Sequence, residues 1–381
     1  MRPGTGMTSP QPIFDCRPDM IKCTLFITQQ CNLACDYCYI GKKNVTMPVS
    51  VARRILDCVF SQLKKDERLE IGFFGGEPLL EFGLVKEVTD LIHQHPSFDP
   101  ERVTVSLVTN GTIMNDEILD FLREKKIVLC VSCDGPADVQ DLHRQYRDGR
   151  GSSPAVENTL RRVLPVFPLL PVNAVYSPET LARLPETVDY LIGLGVRNIF
   201  LSPDISSPWT RHDAEQLPGI YNAVGKIYTG QLKKKDPVHI SLIESKIGLI
   251  LKQGYQTQDK CRMGRGEYAF APSGNIYPCE RLVGSDEGTV HCIGNISSGV
   301  IPGRECSGIS CAAINPECRD CGIREYCMNW CGCTNYATTG KYNMVSPFIC
   351  ASERAAIGAA MAIIETNERG QVLPLFAGCK P

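Results

Sequence analysis

The sequence predicts an α/β protein: a partial (β/α)6 parallel barrel followed by a cysteine-rich C-terminal domain. Three observations lead there. Strand-like apolar runs alternate with helical periodicities from residue 21 to about residue 230. Chemically unusual residues recur at the C-terminal ends of four of those runs. Cysteine density then rises abruptly beyond residue 240. A doubly wound open sheet fits the alternation almost as well, and it puts chemistry on the same edge.

The elements follow in order. Ile21–Thr28 alternates apolar and polar and reads as a strand. Over Ser50–Asp66, the residues Ile55, Leu56, Val59, Phe60 and Leu63 share one helical face. Leu69–Gly76 is a strand running into Gly-Gly, Glu81–His93 is helical, and Arg102–Gly111 is a strand ending in Thr-Asn-Gly. Asn115 caps a helix reaching Lys126, and Ile127–Gly135 is a strand ending in Asp-Gly-Pro. A helix at 153–163, a strand at Leu169–Ser177 and a helix at 178–192 come next, the last stopped by Gly193 and Gly195. A strand at Asn198–Asp204 and a helix over about 211–230 complete six units. Such alternation implies parallel strands with right-handed crossovers.

Composition narrows the function. A chain of 381 residues is long enough for two or three domains and for a core that needs no stapling. A formal net charge of −2 argues against a general nucleic-acid binder. No unbroken apolar run reaches the ~18 residues of a membrane span. The first twenty residues lack the apolar stretch of a signal peptide. The expectation is a cytoplasmic protein without membrane or nucleic-acid partners. Its 20 cysteines are the outlier, and in such a chain they point to metal or redox chemistry rather than to disulfides. Buried free cysteine absorbs part of that number. Cys58 and Cys130 are expected in the core, and Cys16 and Cys379 lie near the ends.

Cys31, Cys35 and Cys38 follow the first strand directly. Three thiolates on one short loop can hold three corners of an iron–sulfur cubane and leave the fourth iron open. A zinc site with a distant fourth ligand, or no metal at all, fits the spacing too. Gly75-Gly76-Glu77-Pro78 ends the second strand, Asn110 the third and Ser132 the fourth. Singly, these are turn signals.

Taken in order, they resemble the radical S-adenosylmethionine (SAM) enzymes. The resemblance implies that the open iron chelates the amino and carboxylate groups of SAM. Gly75, Gly76, Glu77 and Pro78 are then expected to contact the cofactor's amino group, and Tyr37 to pack near its adenine. Asn110 and Ser132 fall where the family places ribose contacts, and Arg144 matches a frequent arginine near the carboxylate. In such enzymes one electron from the cluster yields a 5′-deoxyadenosyl radical, and the protein orients the cofactor.

The distal cysteines run Cys261, Gly274, Cys279, then Cys318, Cys321, Cys327 and Cys331, then Cys350. One Cys-x2-Cys knuckle is present where a zinc ribbon needs two. The run resembles the SPASM extension of radical SAM enzymes, which carries two auxiliary [4Fe–4S] clusters. By that resemblance Cys318, Cys321, Cys327 and Cys350 hold the outer cluster, and Cys261, Cys279 and Cys331 the inner one. Some relatives place a further ligand shortly before the first of these, but residues 253–260 contain no cysteine. The inner cluster then has an open iron, or Cys292, Cys306, Cys311 or Cys333 completes it. The implied layout is an N-terminal extension (1–20), the barrel (21–235), a linker helix (236–260), the SPASM region (261–350) and a C-terminal helix and tail (351–381).

SPASM relatives mostly act on peptides or proteins, so the expected activity is oxidative modification or cross-linking of a peptide side chain. The resemblance also admits an anaerobic sulfatase-maturing, formylglycine-generating enzyme. That group has an aspartate after the cysteine matching Cys279, where this chain has Glu280, a candidate general base. A radical dehydrogenase of a small molecule, or an iron–sulfur electron carrier without catalysis, would carry many of the same cysteines. The expected partners are a peptide or protein substrate and a reductant such as flavodoxin or ferredoxin. About twenty residues before the first strand leave no room there for a leader-binding module, so a separate leader-recognition protein is a further expected partner.

Overall fold

The computed structural model describes residues 20–234, 237–256, 259–261, 263–288, 290–301 and 316–368. Cys16, Cys306, Cys311 and Cys379 lie outside them.

Strands β1 (Met20–Thr28), β2 (Arg68–Gly75), β3 (Val103–Thr109), β4 (Val128–Ser132), β5 (Pro171–Tyr176) and β6 (Asn198–Pro203) pair in parallel in that order. The intervening helices are α1 (Val49–Gln62), α2 (Phe82–Gln94), α3 (Asp116–Glu124), α4 (Ala137–His143), α5 (Ser153–Val163) and α6 (Leu184–Leu194). After β6 come α7 (Arg211–Lys233), β7 (His239–Ile240) and α8 (Ser241–Leu251). The cysteine-rich part contains β8 (Glu267–Phe270), β9 (Asn275–Tyr277), β10 (Gly294–Asn295), β11 (Gly299–Val300) and α9 (Gly332–Thr339), and α10 (Pro347–Glu368) follows. The strands form one sheet in the order β11-β10-β9-β8-β1-β2-β3-β4-β5-β6-β7, with β11 and β7 as its unpaired edges. The result is a large, mostly parallel α/β sheet left open as an incomplete barrel.

Alternation sorts each strand between two faces. Ile21, Cys23, Leu25 and Ile27 of β1 pack beneath α1 with Ala52, Ile55, Leu56 and Val59. Lys22, Thr24, Phe26 and Thr28 occupy the opposite face. Phe26 joins a separate apolar group with Ala269, Ala271, Tyr277 and Val283 from the cysteine-rich part. Asn115 caps α3 by accepting a 2.8 Å bond from Ile118 N, as its sequence position predicts. Gly195 ends α6 in the left-handed region, with φ of 100°.

Several elements depart from the sequence reading. Helix α1 stops four residues before Asp66, where Glu67 accepts a bond from Lys64 N and Arg102 donates to the carbonyls of Lys64 and Glu67. Helix α4 is absent from the sequence reading, since seven residues hold too few apolar positions to show a period. The stretch expected as a linker contains β7 as well as α8. Strand β8 pairs in parallel with β1, so the sheet runs across the expected boundary at residue 261. Cys130 sits on the lumen face of β4, beside the charges of Lys22 and Glu280, and not in the apolar core.

Helix α10 clamps the two parts together. Its Glu353 pairs with Lys246 of α8 at 2.6 Å and accepts Met328 N at 2.6 Å. Phe348 stacks on Trp209 at 3.8 Å, and Ser352 bonds to Tyr221 of α7. By length and composition alone α10 could cross a membrane, yet half of that stretch is buried against the rest of the protein, as in a core helix.

Candidate active site at the sheet edge

The loop after β1 lies between two neighbours that fix it by backbone bonds. On one side Gly76 N donates to Thr28 O (2.8 Å) and Glu77 N to Gln30 O (2.7 Å). This contact requires the Gly-Gly pair. Gly75 has φ of 141°, and a Cβ on Gly76 would lie 1.9 Å from Gln30 O. On the other side Ala34 N donates to Gln145 O (2.7 Å), and Leu33 pairs with Tyr146 just beyond α4. Cys31 is buried on this pinned loop, with Cys35 and Cys38 half-buried. Burial pushes the Cys31 and Cys35 thiols up, with Leu33 N–H and Arg144 respectively pulling them back most strongly. A bound metal is what would hold them as thiolates.

Glu77 is fully buried and acts as a bracket. Its Oε1 accepts Leu79 N (3.0 Å) and Thr109 Oγ1 (2.8 Å), and its Oε2 accepts Asn110 N (2.7 Å). Burial nevertheless raises its carboxyl to about 7, these donors opposing the shift. Pro78 opens the short 3₁₀ turn that Glu77 caps. Asn110 reaches the first loop, with Nδ2 2.9 Å from Asn32 Oδ1 and 3.7 Å from Cys31 Sγ. Ser132, at the end of β4, is half-buried on the same edge and pairs in register with Asn173 of β5.

A charged knot closes the far side. Arg144 Nη1 donates to Tyr37 Oη (2.7 Å), and Tyr37 Oη donates to Asp134 Oδ2 (2.5 Å). Asp134 Oδ1 also accepts Val175 N, at 2.9 Å. The Arg144 Nε is buried without a hydrogen-bond partner, an expensive state for a guanidinium. His143 bridges Asp36 and Ser177, at 2.8 Å each. Asp134 and His143 escaped the sequence reading: Asp134 looked like a turn residue, and His143 showed only as the neighbour of Arg144.

The distal cysteines fall into two groups. Cys318 lies within electrostatic reach of Cys321 and Cys350, as does Cys327 of Cys350, with Arg354 Nη2 3.6 Å from Cys321 Sγ. Cys261, Cys279, Cys331 and Cys333 meet elsewhere, around Met263 and Leu282. Cys292 is apart from both, in the apolar group around Phe26. Glu280 lies on the lumen side, where Thr24 Oγ1 donates to its Oε2 at 3.4 Å and Lys22 is close. Arg281 sits over the Tyr39 ring at 5.8 Å, between the distal cysteines and the first loop; neither was singled out from sequence. Among the described residues no three Cys, His, Asp or Glu side chains converge on a single-ion site. The thiolates of a cubane bind different irons and do not need to converge so tightly.

Residues 25–191 match the Radical SAM superfamily. The chain carries a radical SAM domain. Among curated sequences it is 24% identical to the radical SAM cyclopropyl synthase TigE of Paramaledivibacter caminithermalis, over 67% of this chain and 56% of that one, a little over half its length. It is also 24% identical to the serine-type anaerobic sulfatase-maturating enzyme of Klebsiella aerogenes, over 79% of this chain and 76% of the other. Among solved structures, native anSMEcpe with bound AdoMet and the Cp18Cys peptide shares the fold. Its TM-score is 0.78 at 17% identity, covering 92% of this chain and 99% of that one. The matched radical SAM segment runs from the second half of β1 through most of α6 and so contains every sheet-edge residue described above.

Proposed function

We propose that this radical SAM enzyme takes a hydrogen atom from a peptide or protein side chain and oxidatively modifies or cross-links it. One observation carries the reading. Separate parts of the chain bring the Cys31–Cys38 loop, Gly75–Pro78, Asn110 and Arg144 to one sheet edge through direct hydrogen bonds, with a second cysteine-rich region joined to the same sheet at β8.

The residues fit the implied groups. Cys31, Cys35 and Cys38 would hold three irons of a [4Fe–4S] cluster, and SAM would complete the fourth. When bound and reduced, that pair supplies a 5′-deoxyadenosyl radical. The orphaned Arg144 Nε supplies a donor for the cofactor's carboxylate, and Tyr37 and Asp134 hold its guanidinium in place. Glu77 fixes the loops after β2 and β3 against each other, which leaves the backbone of Gly75 and Gly76 to face the cofactor's ammonium. Cys318, Cys321, Cys327 and Cys350 would hold the outer auxiliary cluster, and Cys261, Cys279 and Cys331 the inner one. Clusters held there would supply one-electron redox capacity beside the substrate.

Glu280 supports a second reading, formylglycine formation. Its carboxylate lies on the lumen face with Thr24, Lys22 and Cys130, where it would serve as base toward a substrate side chain.

The test is an anaerobic incubation with SAM, dithionite and short peptides carrying Cys, Ser or a deuterated side chain. Deuterium appearing in 5′-deoxyadenosine, with loss of a hydrogen pair from the peptide mass, is the expected result. Turnover of free sugars or amines alone would overturn the peptide reading, and peptide aldehyde as product would select formylglycine formation.

A further inference from the structure

Resting on the reading that the C-terminal region holds two auxiliary clusters, we infer that Cys333 is the fourth protein ligand of the inner one, closing it with Cys261, Cys279 and Cys331. No iron of that cluster is then open to an outside ligand.

Spacing alone leaves Cys292, Cys306, Cys311 and Cys333 as candidates, and the structure separates the two that it describes. Cys292 faces the β9–β10 side. Its Sγ donates to Gly294 O at 3.1 Å, and its neighbours are Phe26, Ile40 and Tyr277. Cys333 lies with the other three. Its Sγ is 3.7 Å from Cys331 Sγ, and Cys261 and Cys279 share the same packed group. Met263, Leu282 and Tyr342 enclose the group, and Cys333 is only 5% exposed.

The backbone supports this assignment. Cys331 is the cap residue of α9 and Cys333 its second residue, so both thiols stand at the helix N-terminus. There the unpaired N–H groups and the positive end of the helix dipole favour an anionic group. Arg281 adds a full positive charge close to Cys333, Cys331 and Cys279. A cluster held by four thiolates needs such compensation in a buried site. A closed inner cluster cannot bind a substrate thiolate. It is left with electron transfer, and the substrate must be held by the barrel.

The test uses the full chain carrying C31A/C35A/C38A, so that only auxiliary clusters remain. After anaerobic reconstitution this parent should hold roughly eight irons. Its reduced EPR spectrum should ignore added imidazole or 2-mercaptoethanol. Adding Cys333→Ala should change the spectrum of one cluster and make it respond to those ligands. Should Cys333→Ala instead shed the inner cluster, as Cys331→Ala should, Cys333→Ser and Cys333→Val decide. Iron regained by Ser and not by Val supports ligation, whereas iron regained by Val overturns it. A parent that already binds imidazole, or a Cys333→Ala spectrum identical to the parent's, also overturns the assignment. A parent holding only about four irons would instead remove the inner cluster itself, and with it the two-cluster reading.

Discussion

The loop from Cys31 to Cys38 and the region from Cys261 to Cys350 both present cysteines, but they get their shape from different sources. The first loop is held by the sheet: backbone bonds to Gly76, Glu77 and Gln145 fix it. Among its described residues the second has strands of two to four residues, three single 3₁₀ turns, the eight-residue α9 and the start of α10. Its Met263 and Leu282 pack with the cysteines Cys279 and Cys333, and within 318–331 only Cys327 is buried. In the first region the fold positions the ligands. In the second, the strands β8 and β9 pack on the sheet, and on the proposed reading the stretch 318–331 would be ordered by its ligands and bound metal. On the proposed reading, cofactor activation therefore rests on a rigid edge, while the auxiliary region would be coupled to its own metal content.

The largest consequence concerns metal removal. Chelating iron from the anaerobic protein should strip amide-exchange protection from residues 318–331 almost completely while leaving β1–β6 protected. Equal loss in both regions would break the contrast.

Next is the clamp between them. Lys246→Met leaves Glu353 buried with Met328 N–H as its remaining partner, and should cost about 3 kcal/mol in denaturant unfolding. Exchange should speed up first around Met328 and α8.

A pair of glycines sharpens the comparison. Gly76→Ala drives a Cβ into Gln30 O and should cost roughly 2–4 kcal/mol. Gly322→Ala, beside Cys321, meets nothing within 4 Å and has no left-handed backbone, so it should stay within about 0.5 kcal/mol of the parent. Equal costs would mean that the first loop is not held by backbone contact.

The smallest effect is a pH dependence. The Glu77 carboxyl, raised from 4.5 to about 7 by burial, keeps a proton in the fold that the unfolded chain has released. Stability should therefore fall as pH rises through that window, by roughly 2–3 kcal/mol. Glu77→Gln should flatten this slope in urea titrations at pH 5 and pH 7.5.

The six barrel strands were legible because two-residue alternation survives wherever one face meets helices. Strands β7 and β8 were not, because two and four residues carry no period and both owe their place to pairing with β6 and β1. The candidate site was legible where chemistry clusters in sequence, as at Cys31–Cys38 and Gly75–Pro78. Asp134, His143, Tyr39 and Arg281 were invisible because only folding brings them to cysteines and to Tyr37. Cys333 was one of four options by spacing, and of the two that are described only Cys333 meets Cys261, Cys279 and Cys331.

The most direct measurement is 5′-deoxyadenosine formation from SAM by the anaerobically reconstituted, dithionite-reduced enzyme, compared with C31A/C35A/C38A. The expected result is steady cleavage by the parent and none by the variant, with the variant keeping roughly two thirds of the iron. Cleavage that persists in the variant, or its absence from a fully iron-loaded parent, would contradict the account.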